Sequence, residues 1–151
     1  MNMLKGQLLY YMIGLCMILA IALVFLAMAP PAAPANAVSD AQLGEQYVIS
    51  LGYETTGLIE TAESVIPAVA DKSFESYQKL QKQAGWDLNL YRGRKVIRYS
   101  YAIANFPGEI EGVRANILVC DDNIIGGDIC TVSLDGFMAA LLPRDRMEPI
   151  R

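Results

Sequence analysis

The chain has 151 residues, no histidine and a formal net charge of −4 at neutral pH. Without histidine it lacks the commonest general base and the commonest metal ligand, and neither a Ser-His-Asp nor a Cys-His arrangement can be built within it. The acidic balance argues against non-specific binding to nucleic acid, which needs a basic footprint.

Leu8 to Ala29 carries no charge. A helix of that length, rising about 1.5 Å per residue, spans about 33 Å, the thickness of a bilayer's hydrocarbon core. Lys5 precedes it, Asp40 and Glu45 follow it, and no basic residue comes before Lys72. The excess of positive charge on the inner side predicts a single transmembrane helix over 8–29, with residues 1–7 in the cytoplasm and the remainder outside the cell. The rival reading is a cleaved signal, because Ala35-Asn36-Ala37 fits the small-x-small pattern, and cleavage after Ala37 would release a secreted protein. Residues 30–38 are rich in proline and alanine and read as a semi-rigid spacer.

A folded domain is expected over 39–142. Ser39 with Gln42 makes a capping-box pattern, and Leu43, Tyr47, Val48 and Leu51 recur at helical spacing up to Gly52. Leu58 to Ile66 reads as an edge strand guarded by Glu60, Glu63 and Pro67. A second helix opens at Asp71 or Ser73, shows Phe74, Tyr77, Leu80 and Ala84 as its apolar stripe, and stops at Gly85. Trp86, directly after that glycine, is expected to pack back on the last turn rather than serve as a ligand platform.

Three strands follow. In Lys95 to Ala104, Ile97, Tyr99, Tyr101 and Ile103 alternate with Arg98, Ser100 and Ala102, the pattern of a half-buried strand with the second row wet. Phe106-Pro107-Gly108-Glu109 is a turn, and Val113, Ala115, Ile117 and Val119 form the inward row of the next strand. A hairpin turn centred on Asp122-Asn123 pairs Cys120 with Ile125 and Cys130 with Ala115, too far apart for a disulfide. Ile124 to Leu134 returns, with Gly126-Gly127 marking a bulge or the close approach of another backbone. Phe137, Met138, Leu141 and Leu142 are expected as a short apolar turn against the core, and 143–151 as a frayed tail.

Arg92, Arg94, Lys95 and Arg98 are the only basic cluster and the candidate binding residues. They suit an anionic lipid headgroup, a wall polymer or an acidic partner. The plainer reading is a solvated strand entrance balanced by the acidic residues between Glu54 and Glu75. Asp121, Asp122 and Asp128 lack the alternating spacing and closing glutamate of a calcium loop and read as turn formers. No metal, cofactor or catalytic residue is expected.

The order of Phe74, Tyr77, Leu80-Gln81 and Gly85, then Asp87-Leu88, Tyr91, Gly93 and Arg98-Tyr99-Ser100-Tyr101, is distinctive. Asn105-Phe106-Pro107, Ile125-Gly126-Gly127-Asp128 and Leu134-Asp135-Gly136-Phe137-Met138 complete it. From Ala41 to Leu142 the chain resembles family 4830 of the domains of unknown function, small single-anchor proteins of clostridia-like Gram-positive bacteria. The resemblance implies a small extracytoplasmic α+β domain and carries no catalytic or binding residue across.

The expected architecture is therefore α+β, a three- to four-stranded antiparallel sheet with two helices packed on one face, preceded by one transmembrane helix. The expected function is noncatalytic: an envelope binding or interaction module whose partners are the bilayer, through Leu8–Ala29, and an envelope protein or an anionic wall or lipid group. The alternatives are an envelope hydrolase using Asp128 and Asp135, and a secreted inhibitor or signalling protein.

Overall fold

The computed structural model describes residues 35–108, 110–133 and 136–147. The expected membrane segment, the spacer up to Pro34 and Asp135 lie outside the described residues. Among the described residues, no helix is long and apolar enough to cross a membrane.

Helix α1 spans Ala35–Ser50. It begins one turn before Ser39, inside the expected spacer, and alanine is the strongest helix former there. It ends at Gly52, whose φ of 88° is cheap only for glycine. Strand β1, Thr55–Val65, follows as the expected edge strand. Helix α2, Lys72–Gln83, opens on Asp71, whose carboxylate accepts from the Phe74 N–H. It closes in a Schellman end: the Trp86 N–H donates to Gln81 O and the Gly85 N–H to Lys82 O. Trp86 then lies half-buried against the Tyr47 ring of α1, at 5.8 Å between centroids.

After a 3-10 turn at Leu88–Tyr91 come β2 (Lys95–Ile103), β3 (Val113–Cys120), β4 (Asn123–Thr131) and β5 (Met138–Ala140). All five strands form one antiparallel sheet in the order β1-β2-β3-β4-β5. The sheet thus has more strands than the expected three or four. The apolar stretch around Met138 is strand β5, hydrogen-bonded to β4, and not a turn. An apolar run this short carries no period from which a strand is readable.

The two helices pack on opposite faces, which corrects the expectation of one. Tyr99, Tyr101, Ala115, Ile117 and Ile129 are buried together with Val48 of α1. At Gly44 of α1 a Cβ would lie 2.6 Å from Tyr101 Oη, so glycine is what lets the helix rest on the sheet. Phe74 of α2 is buried instead with Leu88, Val96, Leu118 and Ile125, on the face that alternation assigns to Arg98 and Ser100. The row read as wet is therefore covered, and Ser100 is 1 % exposed. Alternation reveals the greasier face of a strand, but a polar row is also buried when each member finds a partner.

The β3–β4 turn is Asp121-Asp122, one residue earlier than expected. Their φ values of 49° and 59° make a two-residue turn of the left-handed hairpin type, which aspartate tolerates. Cys120 then pairs with Asn123, and Cys130 with Arg114. Both thiols are free. The bulge expected near Gly126-Gly127 falls one residue upstream, with Ile125 unpaired between Ile124 and Gly126. The chain after β5 is pinned as far as Met147 rather than frayed. Tyr53 Oη donates to Leu142 O at 3.0 Å, the Arg144 N–H donates to Leu51 O, and Arg144 Nε donates to Asn105 O.

Candidate functional site

The face under α2 is not filled completely. A cleft of about 520 Å³ opens between α2 and the β1 side of the sheet. Ile66, Phe74, Leu88, Val96, Leu118 and Met138 make it apolar over most of its wall and floor. Tyr77, Arg98, Asn116 and Asp128 gather at one end. These residues come from the segment just after β1, α2, the 3-10 turn, β2, β3, β4 and β5, so only the assembled sheet brings them together.

The polar end is a connected network. Tyr77 Oη donates to Asp128 Oδ2 at 2.7 Å, and Asn116 Nδ2 donates to Asp128 Oδ1 at 2.7 Å. Ser100 Oγ donates to Asn116 Oδ1 at 2.6 Å, which fixes the orientation of that amide. Both carboxylate oxygens of Asp128 are thus engaged, and the residue is 3 % exposed. Burial pushes its carboxyl above the ordinary value, while the Tyr77 and Asn116 donors and the nearby Arg98 pull it back. Burial also raises the Tyr77 hydroxyl and the Cys130 thiol, helped in both by the charge of Asp128. Cys130 is consequently held as a thiol, which is a poor nucleophile. Arg98 runs along the cleft and donates through Nη2 to Glu60 Oε1 at 2.8 Å. Arg114 lies 3.6 Å from the other Glu60 oxygen. Arg98 Nε is buried and is the one such side-chain nitrogen or oxygen without a hydrogen-bond partner among the described residues.

The four basic candidates each meet different surroundings. Arg92 donates to Asn89 Oδ1 and lies over the Phe74 ring at 5.0 Å from its centroid. Arg94 pairs with Asp121. Lys95 is exposed at the start of β2, and Arg98 alone lines the cleft. The three aspartates weighed for calcium are likewise apart: Asp121 and Asp122 make the turn, whereas Asp128 stands in mid-strand and is not a turn former. Among the described residues, no three such side chains are grouped to hold a metal ion.

Tyr77 was legible as part of a helical stripe, but Asn116 and Asp128 were not legible as partners. The available signal was a single polar residue inside each of two otherwise apolar runs, at Asn116 and at Asp128. A lone polar side chain within a buried strand must find a partner, and two on adjacent strands find each other.

The family model for Domain of unknown function (DUF4830) matches residues 48–129, more than half of the chain. The chain belongs to the DUF4830 family. The DUF4830 match runs from the last three residues of α1 to Ile129, so it includes Tyr77, Gln81, Arg98, Asn116 and Asp128, while Met138 lies beyond it. No curated protein and no solved structure matches the chain.

The network has a pH signature. A carboxyl raised by folding keeps its proton to a higher pH than in the unfolded chain. Its stabilising contribution is complete below the unfolded value, near the ordinary 3.8, and is lost as pH rises through the folded value. Acidification from neutral pH is therefore expected to stabilise the wild type relative to Asp128→Asn. Urea denaturation of both proteins across that range checks it. A difference that stays flat, or that grows towards neutral pH, contradicts the raised carboxyl.

Proposed function

We propose that the domain is a noncatalytic binding module that takes an amphipathic ligand in the cleft under α2. The observation that carries this reading is the lining of the cleft, apolar over most of its wall and floor with a few convergent polar groups, as ligand sites are built. The polar cluster favours binding over chemistry. Asp128 has both oxygens occupied, one oxygen of Asp71 caps α2, and Cys130 is held protonated. A carboxylate hydrolase needs a second free carboxylate beside Asp128, and Asp135 lies outside the described residues. The proposed setting is the outer face of a membrane, with Leu8–Ala29 as the anchor. That part rests on the uncharged stretch and on the charge asymmetry around it.

A neutral aromatic probe tests the cleft. N-acetylphenylalaninamide is expected to shift the Met138 methyl and the Phe74 and Tyr77 ring signals in NMR spectra of the full chain in detergent micelles. Ala62→Trp, which sets an indole over the cleft from its rim on β1, is expected to weaken that binding by about tenfold or more. Absence of any shift up to the solubility limit of the probe would sink the reading.

A further inference from the structure

β1 is an outer strand of the sheet, and among the described residues its far side meets no other strand. Its two halves differ. The register slips twice between Thr55 and Glu60, but from Glu60 to Val65 every residue pairs in sequence with β2. Ile66 turns both main-chain groups inward: its N–H donates to Arg94 O and its C=O accepts from the Gly93 N–H. In an antiparallel ladder successive residues alternate, so Ala62 and Ser64 also face β2. Thr61, Glu63 and Val65 consequently turn their N–H and C=O groups outward, as a regular, unpaired edge. The twists and bulges that blunt exposed edges are confined to the other half of the strand.

This regular half is also the rim of the cleft. Ala62, Ser64 and Ile66 line it from the edge side. Ala62 and Ser64 are small, so a side chain from a strand about 4.8 Å further out passes over them into the cleft. Charge indicates what such a strand carries. β1 contains no basic residue. Glu60 is neutralised by Arg98 and Arg114, but among the described residues no cation pairs with Glu63 or with Asp71 on the same rim. A second copy of the chain is disfavoured, because antiparallel self-pairing would bring acidic side chains into one ladder with no new cation to offset them.

We infer that the Glu60–Val65 edge takes an extended basic peptide as an added strand and that the cleft receives one of its apolar side chains. This rests on the reading of the cleft as a binding site. Main-chain hydrogen bonds to Thr61, Glu63 and Val65 supply affinity, the cleft selects one side chain, and Glu63 and Asp71 select the charge of its neighbours.

The test is amide hydrogen exchange of the full chain in detergent micelles, with a capped peptide of alternating lysine and valine and a central phenylalanine as the probe. The expected result is protection of the Thr61, Glu63 and Val65 amides, which exchange freely without the probe, together with a shift of the Met138 methyl. N-methylation of the peptide amides that face β1 is expected to weaken binding by about tenfold, and glutamate in place of lysine by a similar factor. The methylated peptide tests the same hydrogen bonds without altering the protein, so misfolding cannot mimic the result. A Met138 shift without edge protection would overturn the inference and leave the cleft reading intact. Edge protection without a Met138 shift would overturn the part assigned to the cleft. Protection that grows with protein concentration in the absence of peptide would assign the edge to a second copy and overturn the inference. No response to the peptide would also overturn it, and N-acetylphenylalaninamide then decides the cleft separately.

Discussion

Gln81→Leu is expected to destabilise the fold by about 4 kcal/mol, because it leaves two buried main-chain groups without partners at about 1–3 kcal/mol each. Gln81 is fully buried. Its Nε2 donates to Gly127 O at 2.8 Å, and its Oε1 accepts from the Gly127 N–H at 2.9 Å. The reason lies in the length of β5, which pairs only with Asp128 to Cys130. Gly127, the next residue along β4, faces an edge that β5 does not cover. The primary amide of Gln81 supplies there the donor and acceptor that another residue of β5 would have offered. Leucine keeps the volume and most of the helix propensity, so the loss isolates the hydrogen bonds. Urea denaturation followed by the fluorescence of Trp86, the sole tryptophan, measures it. A loss of under about 1 kcal/mol would mean that Gly127 finds other partners when the amide is gone.

Gly127→Ala is expected to cost about 3 kcal/mol, at the upper end for an overpacked core. An ideal Cβ at Gly127 would lie 2.6 Å from Asn116 O and 3.3 Å from Leu141 Cδ2. The first of these atoms is main chain in the neighbouring strand, so it moves only if the β3–β4 ladder opens. The strain also reaches the cleft, because Asn116 holds Asp128 through its side chain. The variant is therefore expected to weaken the binding of N-acetylphenylalaninamide as well as the fold. Thermal unfolding and NMR titration of the same sample check both. Wild-type stability would show that β3 and β4 separate more easily than their register implies.

The Gly126-Gly127 pair illustrates how far the chain can be read in one dimension. A close approach was legible, since two glycines inside an apolar strand give up side-chain packing where a neighbour needs the room. What approaches was not: it is the side chain of Gln81 at Gly126, and the main-chain oxygen of Asn116 at Gly127. Gln81 itself lies on a helix of mostly polar residues, where a glutamine is ordinarily solvated. Asp71 was legible as a cap because its bond runs to Phe74, only three positions away. Tyr77 bonds Asp128 across 51 positions and Gln81 bonds Gly127 across 46, and no local pattern announces either partner.

The sequence by itself determined the α+β class, the two helices with their glycine stops, the alternating rows of β2 and β3, and the family. Each depends on interactions between residues at most a few positions apart, or on the order of motifs along the chain. Only the tertiary structure decided that the helices cover opposite faces, that Met138–Ala140 is a fifth strand, and that Tyr77, Arg98, Asn116 and Asp128 meet at one end of a cleft. Those outcomes turn on which buried polar group finds which partner across the sheet. That choice is made by the whole packed arrangement, because a donor or acceptor removed from water is satisfied by whatever the fold places beside it.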